Sequence, residues 1–201
     1  VEVTPLLPLY DPNAFDGEGA VAIAYGNPDT ADNVATIVPG TTVKGTSIAG
    51  DVRNAENLYT SARVSDPNAT TSTILWIGYD SPEFTDLSVA SESMAIAGGE
   101  RLADYVDGLN AARAEGDPAH MSVVGHSYGG TVIAEAGPHP SVSHLLYVSS
   151  YLPDVGQAQG AIMSGETDPV TVGAVGDGMI GVTGYDAASF GARFLQDSER
   201  A

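Results

Sequence analysis

Met121-Ser-Val-Val-Gly-His-Ser-Tyr-Gly-Gly-Thr-Val-Ile-Ala-Glu-Ala136 is the stretch on which the reading of the whole chain turns. Met121–Val124 is a short apolar run of strand type, Thr131–Ala136 opens like a helix, and Gly137-Pro138 stops it. Between them, Gly125-His-Ser-Tyr-Gly129 fits the pattern G-x-S-x-G directly after a strand and directly before a helix, the context in which that pattern carries meaning. The spacing has a steric reason. A serine hydroxyl is a weak nucleophile unless its Oγ projects freely and a base can take its proton. A sharp strand-to-helix turn lifts Ser127 in this way, and glycines at 125 and 129 remove side chains that would collide there. The same turn aims the N–H of Tyr128 and the helix N-terminus at the point where an oxyanion would form. Gly130 lets the helix lie close to the sheet. The bland alternative, a glycine-rich turn whose serine only caps the helix, is disfavoured by the agreement of strand, turn and helix.

Working outward, apolar β-branched runs alternate with helix-compatible stretches, the pattern of a mostly parallel α/β sheet with helices on both faces. Val21–Tyr25 reads as a first strand and Val34–Val38 as a second, the latter ending at Pro39-Gly40. A helix is expected from about Ser47 to Arg63, a third strand over Thr73–Gly78, and one or two helices between Ser88 and Glu115. His144–Ser149 follows as a fifth strand and Ala161–Met163 as a sixth. The glycine-rich run Val172–Gly184 reads as a loop, with a short helix near Ala187–Gln196. Residues 1–16, with Pro5, Pro8 and Pro12, form an extended lead-in to a single domain over 1–201. The loop after the second strand, Val38-Pro-Gly-Thr-Thr42, offers the backbone N–H groups of Gly40 and Thr41 as second oxyanion donors.

Composition narrows the functional classes. The chain has 201 residues, 43% of them apolar, enough for one core without staples. With no cysteine it holds no disulfide, thiolate metal site or cysteine nucleophile. Twenty-six acidic residues against seven basic ones give a net charge of −19, which makes nucleic acid a poor partner. That bias fits either adaptation to high salt or a solubilising surface. Lys44 is the single lysine. No apolar run approaches the roughly 20 residues of a membrane helix, and no metal cluster, phosphate loop or nucleotide fingerprint appears, so no cofactor is implied. Asp11, Asn13, Asp16 and Gly17 miss the spacing of a calcium loop. The chain starts at Val1 without a signal pattern and is expected to be a trimmed, matured or excised segment, with a lean to the cell exterior.

Gly125–Gly129, the Val34–Gly40 strand and loop, and Trp76-Ile-Gly-Tyr-Asp80 together resemble the α/β-hydrolase superfamily. The likeness is strongest to a bacterial branch with counterparts of Asn27–Asp32 and Leu75–Asp80, and it covers residues 20–136 well and the rest loosely. Leu145–Pro153 is similar to the strand after the nucleophile helix in other branches. The resemblance implies a Ser–acid–His triad acting on an ester, thioester or amide. The expectation that follows is a carboxylic-ester hydrolase working through an acyl-enzyme on Ser127, with a small-molecule or lipid-like ester as substrate.

The reactive groups of this architecture gather at the carboxyl ends of the strands. Asp168, beside Pro169, resembles the triad acid, and Asp154 after the preceding strand is the alternative; each also suits a turn. The base should follow the acid in the chain, yet no histidine occurs after His144. His120, His139 and His144 belong to the wrong edge of the sheet, and the His126 side chain should diverge from Ser127. Three explanations stand: a histidine beyond Ala201, a histidine such as His139 swinging in from a loop, or a binding scaffold without turnover. A cofactor-free lyase or peroxidase on the same fold is a further alternative. Tyr79, Phe84 and Tyr151 are candidates for an acyl pocket.

Overall fold

The computed structural model describes residues 3–83, 92–115, 118–158, 171–176 and 179–183. A six-stranded sheet runs in the order β1 (Leu6–Asp11), β2 (Ala20–Tyr25), β4 (Thr71–Ile77), β3 (Asn33–Val38), β5 (His120–His126) and β6 (His144–Val148). Strands β4, β3, β5 and β6 are parallel. The strand expected first in a parallel sheet departs from this: β2 lies antiparallel to β4, and residues 6–11 of the lead-in add β1 antiparallel to β2, joined to it through the short α1 (Ala14–Gly17). The reason is connection length. Residues 26–32 only arch over the start of β4, whereas a parallel entry into β3 needs a crossover of about a dozen residues or more.

Period-two alternation divides the strand residues between two cores. Ile74 and Trp76 of β4 face one side with Val34, Val38, Met121 and Val123; Leu75 and Ile77 face the other with Val21, Tyr25 and Ile37. The first side is covered by α3 (Ser93–Ala111) through Leu102 and Val106 and by α4 (Gly129–Ala136) through Val132 and Ile133. The second is covered by α2 (Ala49–Ser65), whose Ala55 is buried with Val52, Leu58 and Tyr59 beside it. Each large apolar side chain removed from water here contributes about 1.5–3 kcal/mol before entropy is counted. Helix α3 runs unbroken through Gly98, Gly99 and Gly108. A Cβ on Gly99 would stand 2.4 Å from Glu135 Cβ, so α3 and α4 meet almost backbone to backbone.

At the far edge, Leu145 and Tyr147 of β6 pack on the first core, while Leu146 and Val148 on the opposite face are exposed. The glycine-rich run expected as a loop contains a two-stranded antiparallel unit, β7 (Thr171–Gly176) with β8 (Met179–Thr183). Its register sets Val172 opposite Val182, Gly173 opposite Gly181 and Ala174 opposite Ile180. Over Val172–Ala174 and Ile180–Val182 apolar residues alternate with glycine, which stands where polar residues usually mark a strand, and the register shifts beyond Ala174. The expected strand Ala161–Met163, the helix Ala187–Gln196 and Asp168 lie outside the described residues.

Candidate active site

Strand β5 ends at His126, and the chain enters α4 through Ser127 and Tyr128. Ser127 has φ 54°, in the left-handed region, which costs a residue other than glycine about 1–3 kcal/mol. Bonds on both sides hold it there. Its N–H donates to Val148 O (3.2 Å), and its carbonyl accepts from the N–H of Gly130 (3.1 Å) and from the Ser150 hydroxyl (2.7 Å). The flanking glycines answer to crowding. A Cβ on Gly125 would lie 2.6 Å from Gly130 Cα, and one on Gly129 only 2.2 Å from Val38 O. The first turn of α4 thus abuts both its own strand and the end of β3. Ser127 itself is half-buried.

The loop after β3 passes directly against the serine. A Cβ on Gly40 would stand 2.7 Å from Ser127 Cβ and 3.1 Å from Ser127 Oγ. The carbonyls of this loop are turned the other way: Tyr79 OH donates to Pro39 O (2.7 Å) and lies 3.2 Å from Gly40 O, and Ser81 Oγ donates to Gly40 O (3.0 Å). In a trans peptide the N–H of Thr41 points opposite to the Gly40 carbonyl, away from Tyr79 and Ser81. It has no acceptor among the described residues, whereas the N–H of Thr42, itself at φ 64°, donates to Pro82 O at 3.2 Å. Gly40, Thr41, Ser127 and Tyr128 therefore share one corner of the carboxyl end of the sheet.

Buried aromatic rings support that corner. Trp76 stacks on Tyr79 with centroids 6.2 Å apart, and Tyr79 on Tyr128 at 6.5 Å. Burial pushes the Tyr128 phenol up to about 12 and that of Tyr79 further still, so both stay neutral at neutral pH. Tyr79, a candidate for an acyl pocket, is instead a buried brace for the Pro39–Gly40 peptides. Tyr151 is half-buried and Phe84 lies outside the described residues.

The other candidates are dispersed. His120 and His144 are the first residues of β5 and β6 and stand at the amino end of the sheet. His139 follows α4 to that same end, where Nε2 lies 3.4 Å from Asp107 Oδ2 and Nδ1 accepts from the N–H of Ser141. An eight-residue helix separates it from Ser127, about 12 Å of rise, which places it at the far end of α4 from the serine. His126 is exposed and, by the alternation of β5, faces the side opposite Gly125. None of the four is hydrogen-bonded to Ser127. Asp154 is exposed in a turn closed by Gln157, whose Oε1 accepts from the Asp154 N–H. Among the described residues no group of three or more His, Asp or Glu could hold a metal, and no helix is long and apolar enough to cross a membrane. Sequence reasoning missed Ser150 and Ser81. The signal available was a hydroxyl shortly past the end of a neighbouring strand, two residues for Ser150 after β6 and four for Ser81 after β4.

A mostly parallel sheet clad on both faces, with a strained serine between strand and helix at its carboxyl end, defines the α/β-hydrolase class. The chain belongs to the alpha/beta hydrolase family, whose pattern matches residues 11–151. Two Mycobacterium tuberculosis proteins, MT2140 and Rv2079, both described as uncharacterized, are 47% identical to it over 144 residues, covering 68% of this chain and 22% of theirs. The chain thus spans about a fifth of the length of these relatives. Among solved structures, a ferulic acid esterase aligns with TM-score 0.46 at 11% identity, over 74% of this chain and 58% of that one. DcsB in complex with its substrate analogue aligns with TM-score 0.45 at 16% identity, over 75% and 47%. A cold-adapted esterase from an Arctic intertidal metagenomic library gives TM-score 0.42 at 15% identity, over 71% and 58%.

Proposed function

We propose that the protein is a serine hydrolase acting on a carboxylic ester through an acyl-enzyme on Ser127. The observation that carries this reading is a half-buried serine held at φ 54° with the Gly40 backbone against its side chain. In this reading Ser127 Oγ attacks the ester carbonyl and its proton passes to a base. The N–H groups of Tyr128, Gly40 and Thr41 hold the oxyanion, whose stabilisation by one such donor is worth about 2.7–4 kcal/mol. The alcohol leaves, and water then hydrolyses the acyl group. Asp168 is the proposed acid, by resemblance, and it would orient the base. A small-molecule or lipid-like ester is the proposed substrate.

A second reading rests on a specific observation: none of the four histidines is hydrogen-bonded to Ser127, and three stand at the opposite end of the sheet. It describes a hydrolase-fold binding module that takes up the ester without turning it over. Stopped-flow measurement with p-nitrophenyl butyrate separates the two. The enzyme reading expects p-nitrophenol release that is absent in Ser127→Ala. Release at the background rate from folded wild type, with no acyl adduct on the protein, supports the module.

A further inference from the structure

Lys44 reaches two loops at once. Its Nζ lies 2.5 Å from Glu18 Oε1, in the connection between β1 and β2, and 2.5 Å from Glu83 Oε1, in the connection after β4. Its own loop is the one that carries Gly40 and Thr41. Beside it the backbones touch: a Cβ on Gly45 would stand 2.7 Å from Gly19 O. The Thr42 N–H to Pro82 O bond ties the same loop to the segment just before Glu83.

The charge environment makes this cation decisive locally. Asp16, Glu18, Asp80 and Glu83 converge here on a chain with net charge −19. The Asp80 carboxyl is held above its usual range, first by desolvation and then by Glu18 and Asp16, with Lys44 and Arg101 opposing. Arg101 lies over the Phe15 ring, 5.1 Å from its centroid. An isolated surface ion pair is worth little, but a cation shared by two half-buried carboxylates is a three-point clamp on loops that otherwise repel. The Lys44 ammonium is held well above the usual lysine range, mainly by its bonds to Glu18 and then Glu83, and stays charged.

We propose that Lys44 is a positioning residue: by bridging Glu18 and Glu83 it clamps the Gly40–Thr42 loop in the place where its amides face the oxyanion. This rests on the reading of Ser127 as nucleophile. The role differs from general stabilisation, because a displaced donor weakens the transition state while leaving ground-state binding alone.

The test measures covalent labelling of Ser127 by a fluorophosphonate, resolved into kinact and KI, together with amide hydrogen exchange over residues 39–46. Lys44→Met should lower kinact about ten-fold and leave KI within about two-fold, since sub-ångström misplacement acts on the reacting geometry. Exchange of the 40–45 amides should rise while that of β5 and α4 does not, and Lys44→Arg should restore both readouts. If Lys44→Met does not fold, Glu83→Gln removes one arm of the clamp and should give part of the same loss. Unchanged exchange in Lys44→Met overturns the clamp. Faster exchange with unchanged kinact overturns its role in positioning the amides. A wild type that is not labelled at all overturns the reading of Ser127, and with it the positioning role, while exchange still decides whether the clamp exists.

Discussion

The two ends of the sheet are built differently. At the carboxyl end the chain accepts left-handed backbone at five positions that are not glycine: Phe15, Asp16, Thr42, Ser127 and Ser149. At the amino end the left-handed position among the described residues is Gly26, where a Cβ would stand 2.4 Å from Thr71 O. Strain of about 1–3 kcal/mol per such residue persists only where surrounding bonds over-determine it, and such strain gathers at functional sites. Three of the four histidines are arranged the other way. His120, His139 and His144 stand at the amino end, in ordinary surface positions, and Ser127 stands at the other. The lesson is that this chain concentrates strained backbone at one end of the sheet and most of its histidines at the other.

The largest expected effect sets the two kinds of glycine against each other. Gly129→Ala drives a methyl into Val38 O and should lower stability by about 3 kcal/mol or prevent folding, the upper range for overpacking. Gly108→Ala, on the exposed face of α3 with nothing within 4 Å, should raise stability by about 0.5–1 kcal/mol. Urea unfolding of both variants checks the contrast, and similar midpoints would break it.

Tyr79→Phe removes the hydroxyl that holds Pro39 O and Gly40 O while keeping the stacked ring. Leaving a buried acceptor unpaired should cost about 1–3 kcal/mol. Labelling of Ser127 should slow as well, measured by intact mass over time. An unchanged rate would detach the aromatic brace from the site.

Two aspartates give opposite pH signatures. At the amino end, hydrogen bonds from the Thr70 side chain and then backbone hold Asp32 below the usual carboxylate range. Its folded pKa is depressed, so its stabilisation is full above the ordinary carboxylate pKa and is lost as pH falls through the lowered value. At the carboxyl end Asp80 is raised, so folding favours its protonated form; its penalty is full at neutral pH and fades as pH falls through the carboxylate range. Asp32→Asn should therefore destabilise and Asp80→Asn stabilise at pH 7, and both differences should shrink in acid. Unfolding midpoints across pH 3–8 follow this, and a shared sign would contradict it. The smallest effect is expected for His139→Ala. Loss of a half-exposed pair with Asp107 should change stability by less than about 1 kcal/mol and leave Ser127 labelling unaltered.

What the sequence showed clearly was the part governed by local sterics and alternation. Gly125 and Gly129 could be read because a turn this tight excludes any Cβ, and β3, β4 and β5 because their apolar runs are continuous where both faces are covered. The antiparallel placement of β2 was hidden, since nothing in Val21–Tyr25 records which way its neighbour runs; the short 26–32 connection was the only clue. The β7–β8 pairing was hidden because glycine stands where polar residues would mark the alternation. Ser150, Ser81 and the Lys44 clamp depend on segments that are distant in sequence meeting at one end of the sheet, which only the folded topology brings about.

The most direct test of the account is the site of covalent modification. Wild-type protein treated with a fluorophosphonate should gain one adduct, mapped by peptide mass spectrometry to Ser127, and folded Ser127→Ala should gain none. An unmodified wild type, or an adduct on another residue that persists in Ser127→Ala, would contradict it.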